Sequence, residues 1–128
     1  YEDTINIINE WQACVGQKPN PGVFHSFSGL ENHANLVIEK GFYIGVTGSI
    51  TFNKAYNLRN VVAGLPLNRI LIETDAPFLS PQPNRGKRNE PAFVRWVADK
   101  IAEIKSVTVN EVASFSTQNA KILFGWNN

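Results

Sequence analysis

The sequence predicts an α/β fold in which a small parallel sheet is flanked by helices. Three observations carry this. Val23–Phe27, Phe42–Val46 and Arg69–Asp75 are short, mostly apolar runs of strand length. The stretches between them repeat their apolar residues at helical spacing. Strand and helix alternate with short connections, and strands joined through a helical crossover run parallel.

Each element has its own signals. Residues 3–17 read as a helix carrying Ile5, Ile8, Trp11 and Val15 on one face, with Asp3 near its start and Gly16 as a stop. Pro19-Asn20-Pro21-Gly22 is a turn, and Val23-Phe24-His25-Ser26-Phe27 reads as a strand covered on both faces. After Ser28-Gly29 a helix runs from about Leu30 to Lys40, with Gly41 as its left-handed terminator. The strand Phe42–Val46 leads through a polar loop, Thr47 to Asn53, to a helix over 56–63 that ends at Gly64 and Pro66. Arg69–Asp75 is the clearest strand, and a long loop with Pro77, Pro81, Pro83 and Gly86 follows it. Pro91 suits the first turn of a helix reaching Lys105, with Phe93, Val94, Val97, Ile101 and Ile104 facing inward. Thr108 and Glu111 form a capping box for a short helix, with Val107 and Val112 as its hydrophobic staple. A last helix spans about Thr117 to Phe124, closed by Gly125.

Three strands give a sheet with two open edges. A (β/α)8 barrel takes about 250 residues and builds its site at the C-terminal ends of its strands. The 128 residues have the alternation of such a barrel and about half its content.

Composition is that of a globular chain: 43% hydrophobic, 18% charged, net charge +1, with no overall electrostatic signal for nucleic acid. No apolar run approaches the ~20 residues of a membrane span, and the start lacks the regions of a signal peptide. The chain contains no methionine, which hints at a processed start. The single cysteine, Cys14, rules out a disulfide within the chain, so the expected compartment is the cytoplasm. Cys14 sits on an apolar helical stretch and reads as a small buried hydrophobe rather than a nucleophile.

Chemistry concentrates at the strand ends, His25-Ser26-Phe27-Ser28-Gly29, Gly45-Val46-Thr47-Gly48-Ser49 and Glu73-Thr74-Asp75-Ala76-Pro77. Imidazole and carboxylate are ligands that suit zinc, manganese or magnesium in hydrolytic sites. On spacing alone a hydrogen-bonded core histidine is the better reading of His25. A turn aspartate ahead of Pro77 is an equal reading of Asp75. Glu73 shares a strand face with Asp75, and two carboxylates after an apolar run call for a nearby cation, either a metal or a phosphate-facing base. His33 lies in a helix and is expected to face solvent. Arg85, Lys87 and Arg88 flank Gly86 just before a helix start. There they serve equally as a solvated charged loop or as phosphate contacts.

Four motifs carry a resemblance that spans essentially the whole chain. Arg69 to Leu79 resembles the last barrel strand of the TatD-type metal-dependent deoxyribonucleases. Arg85-Gly86-Lys87-Arg88-Asn89-Glu90-Pro91 is similar to that family's arginine-asparagine-glutamate-proline loop, and Val23 to Gly29 to its sixth-strand motif. Thr117 to Gly125 resembles its C-terminus.

The resemblance implies the C-terminal half of a (β/α)8 TIM barrel of the amidohydrolase superfamily. Residues 1–128 would form a single incomplete domain. It implies hydrolysis of DNA phosphodiester bonds by water activated on divalent metal, with two ions in the complete site. His25 and Asp75 match metal ligands of the sixth and eighth strands, and Asp75 also matches the proton acceptor. Glu73 would support them, and Arg85, Lys87 and Arg88 would contact backbone phosphate. The family's first-strand histidine pair, its bridging glutamate and its fifth-strand histidine have no counterpart here. A partner for this chain, the missing N-terminal half or another chain, is therefore expected. Rival readings are an ester or amide hydrolase, such as a D-aminoacyl-tRNA deacylase, and a non-catalytic half-barrel.

Overall fold

The computed structural model describes residues 1–126. Its helices are α1 (Glu2–Val15), α2 (Glu31–Glu39), α3 (Tyr56–Gly64), α4 (Val94–Lys105) and α5 (Val109–Phe124). Its strands are β1 (Val23–Phe24), β2 (Tyr43–Val46) and β3 (Ile70–Ile72), and they form one parallel sheet in the order β1-β2-β3. The expected half-barrel pattern of parallel strands and flanking helices is present.

Every residue of β2 is buried, as befits the central strand of the sheet. Ile44 and Val46, which share one face of β2, anchor the core together with Val62, Val97 and Ile101.

Two strands are shorter than the apolar runs suggest. β1 stops at Phe24 because Ser26 takes a left-handed backbone (φ 49°), and the next ladder bond runs from Phe27 N–H to Gly45 O, 2.9 Å. His25 and Ser26 are thereby turned out of the ladder, the kind of local break that re-aims side chains beside sites. β3 stops at Ile72, although Glu73 N–H still bonds Val46 O, and Asp75 turns the chain with φ 52°.

The two expected C-terminal helices are one. No glycine or proline interrupts 109–124, and Val112, Ser116 and Asn119 make a buried stripe at helical spacing. The capping box is present: Glu111 N–H donates to Thr108 Oγ1 (3.2 Å) and Thr108 N–H to Glu111 Oε2 (2.9 Å). α5 also changes one of the expected open edges. Ile72 N–H donates to Ser116 Oγ (3.2 Å), and Asn119 Nδ2 donates to Leu67 O and Ile70 O, so side chains satisfy part of the β3 edge.

The inward face expected for α1 is only half correct. Ile5 is buried and Ile8 partly so, but Trp11, Val15 and Cys14 are exposed. Among the described residues the core cluster takes in only Ile5 and Ile8 of α1, so the later positions of that face lie outside it. Cys14 is thus not the buried hydrophobe its neighbours suggested. His33, expected in solvent, is half-buried. Its ring stacks on Tyr1 at 4.8 Å and its Nδ1 accepts from Leu30 N–H.

Candidate metal centre

His25 leaves the end of β1 while Glu73 and Asp75 leave the end of β3, and β2 lies between them. The acids must therefore cross the central strand to meet the imidazole. Glu73 does so over Gly45: a Cβ at that position would collide with its carboxylate. A lone glycine inside an apolar strand is the sequence signal of such a close approach, and its role here was missed.

The three side chains converge. His25 Nδ1 lies 2.9 Å from Glu73 Oε2, and His25 Nε2 lies 3.0 Å from Asp75 Oδ1. One ligand atom from each residue falls within 4.8 Å of the others. Ser26 holds the acids in place. Its N–H donates to Glu73 Oε2 (3.0 Å) and its Oγ to Asp75 Oδ2 (3.1 Å). Nothing in the hydrophobic pattern marked Ser26 for this task. The contact with Glu73 raises the His25 pKa above its ordinary 6.5, against a smaller opposing effect of burial and with help from both negative charges.

Asp75 Oδ1 is the informative atom. It is buried and accepts no hydrogen bond among the described residues, although His25 Nε2 lies 3.0 Å away. A buried carboxylate oxygen without a donor is costly, and a cation satisfies it. Nε2 and Oδ1 together offer nitrogen and oxygen to one ion, while Nδ1 faces a second carboxylate. That is the carboxylate–histidine–metal arrangement in which the outer acid fixes the ring. The donor set fits a divalent ion.

The Asp75 loop is pinned from behind. Asn89 is buried. Its Nδ2 donates to Thr74 O and to Phe78 O, and its N–H donates to Pro77 O. This buried amide, inside the segment singled out for its charges, holds the cationic loop against the acidic one. Arg85, Lys87 and Arg88 are exposed, and among the described residues none pairs with a carboxylate. The Arg85 guanidinium lies 4.0 Å from the centre of the Phe52 ring.

The model of the TatD related DNase family matches residues 1–125. The chain is 45% identical over 127 residues to YabD, an uncharacterized metal-dependent hydrolase of Bacillus subtilis, covering 98% of this chain and 48% of that protein. It is 32% identical over 130 residues to the 3'-5' ssDNA/RNA exonuclease TatD of Erwinia amylovora, covering 98% of this chain and 49% of that protein. The crystal structure of YjjV, a TatD homolog from Escherichia coli, superposes with a TM-score of 0.77 at 35% identity, over 83% of this chain and 41% of that one. The chain thus spans about half the length of the relatives it matches. Matched almost from end to end by the family model, and alike in fold to a solved homolog, the chain belongs to the TatD related DNase family.

Proposed function

We propose that the protein carrying this chain is a divalent-metal-dependent hydrolase that cleaves DNA phosphodiester bonds. The observation that supports it most is Asp75 Oδ1, buried and without a hydrogen bond, facing His25 Nε2. Family membership and the Erwinia relative, a 3'-5' ssDNA/RNA exonuclease, point the same way.

In this reading His25 Nε2 and Asp75 Oδ1 would hold the metal, and Glu73 fixes the imidazole through Nδ1. Zinc, magnesium or manganese would suit these donors, with a second ion in the complete site. A bound divalent cation would polarise the phosphoryl oxygen and acidify water. Asp75 takes the proton of the attacking water, and Ser26 keeps its carboxylate oriented. Arg85, Lys87 and Arg88 contact backbone phosphates, which position the strand without reading its sequence. Two protein ligands fall short of the three usual at catalytic zinc. The remainder of the shell comes from the other half of the barrel, and this chain acts together with it.

The test is oligonucleotide cleavage by the full protein, stripped of metal and reloaded, beside the Asp75→Ala variant. Chelation should stop cleavage and metal restore it, while Asp75→Ala stays inactive although it still folds and unfolds cooperatively. Retained cleavage in that variant refutes its role. Turnover of a D-aminoacyl-tRNA but not of DNA overturns the substrate assignment.

A further inference from the structure

The geometry points to a base-stacking subsite beside the metal cluster. A cavity of about 490 Å³ opens between the turn after β1 and the 3-10 turn Gly48–Thr51. We propose that it takes the nucleobase of a single-stranded nucleic-acid end, stacked on Phe52, with Lys54 on the adjoining phosphate. The inference rests on the hydrolase reading for where the reacting phosphate lies.

Ser26 ties the cavity to the cluster. It lines the cavity, and it donates to both Glu73 and Asp75. A ligand seated there lies one residue away from the acids. The walls are Phe52 and Leu79, the hydroxyls are Ser28 and Ser49, and the charged group is Lys54. No carboxylate is among the lining side chains, so the cavity accepts an anion although the acids stand behind it. Its volume suits a small ligand held by an apolar wall and a few polar groups. Two larger grooves, about 780 Å³ along α5 and about 590 Å³ beside Arg59 and Trp96, contain no residue of the cluster.

Phe52 is built as a platform. Its N–H donates to Ser49 O (3.0 Å), and its carbonyl accepts from Arg59 Nη2 (2.5 Å), so the backbone beneath the ring is fixed. The Arg85 guanidinium covers the ring at 4.0 Å and does not itself line the cavity. Phe52 lines the cavity, and in the proposed subsite the base stacks on the part of its ring that Arg85 does not cover. A fixed ring backed by a cation, with a lysine nearby, is the combination that binds single strands: stacking accepts any base, and the cation follows the backbone. Lys54 is exposed and makes no ion pair among the described residues.

The experiment reads binding, not turnover. Fluorescence anisotropy of the purified full protein, with chelator present, compares a labelled thymidylate tetramer with the same backbone carrying abasic residues. Wild type should prefer the tetramer by at least about fivefold, the low end of base–aromatic stacking. Phe52→Leu should bring the tetramer to the abasic level, and Phe52→Tyr should keep the preference. Lys54→Gln should weaken both ligands alike and lower the salt slope by about one. Equal binding of the two ligands by wild type, or an unchanged preference in Phe52→Leu, overturns the subsite. The wild-type comparison decides even if a variant misfolds. Base preference without any metal-dependent cleavage counts against the hydrolase reading and leaves the subsite standing. Cleavage without base preference does the reverse.

Discussion

Placing a methyl group at Gly45 tests how the centre is assembled. In Gly45→Ala the new Cβ occupies the space of the Glu73 carboxylate, which must swing away because the strand backbone cannot. Two contacts go with it: the Ser26 N–H bond at 3.0 Å and the His25 Nδ1 contact at 2.9 Å. The Ser26 bond, to a charged acceptor, contributes about 1.5–3 kcal/mol, the contact with the largely exposed His25 ring adds little, and replacing a strand glycine by alanine returns about 0.5–1 kcal/mol of backbone entropy. The fold should therefore lose only about 1–2 kcal/mol. Metal binding should suffer more, since losing the acid that orients a ligating histidine weakens affinity about 10- to 100-fold. Calorimetric titration of the full protein with Zn²⁺ or Mn²⁺ measures this, with Glu73→Ala and the double variant completing a cycle. Both single changes act through one carboxylate, so the double variant should bind no more weakly than Glu73→Ala alone. Wild-type affinity in Gly45→Ala, or fully additive losses, would refute the assignment of Glu73 as the group that holds His25.

Further outcomes can be checked separately. Asn119→Ala removes the donor to two carbonyls at the start of β3 and should cost about 2–4 kcal/mol in urea denaturation; a loss below about 1 kcal/mol would contradict its place in the edge. Thr108→Ala should cost about 1 kcal/mol as the cap of α5, read by the same assay. The Glu111 carboxyl is held below its ordinary 4.5 by the Thr108 N–H and then its hydroxyl. Its contribution is therefore present above pH 4.5 and fades as the pH falls through the lowered folded-state value; Glu111→Gln should flatten stability across that acid range. Replacing Arg85, Lys87 and Arg88 together by alanine should reduce the salt slope of DNA binding by about 2–3, and an unchanged slope would remove them from the phosphate path.

The sequence by itself determined the alternation of strands and helices, because apolar periodicity and caps are local. Glycine at 41 and 125, proline at 91 and the Thr108–Glu111 box each end or start an element through the backbone of their own neighbourhood. It also marked the cluster residues, since His25, Glu73 and Asp75 stand directly after apolar runs. The extent of those runs was not legible. Positive φ at Ser26 and Asp75 ends two strands early, and side chains that bond across the fold surround both turns. Nor could local pattern tell that Trp11, Cys14 and Val15 lack a covering element, or that α5 continues through 109–124 as one stripe against β3. Only the tertiary structure decided how the centre closes. Glu73 reaches His25 because the strand between them carries a glycine, Ser26 bonds residues 47 and 49 positions away, and Asn89 ties the cationic loop to the acidic one. Such contacts depend on which strands become neighbours and on how close their backbones come, and neither is encoded in the periodicity of any single segment.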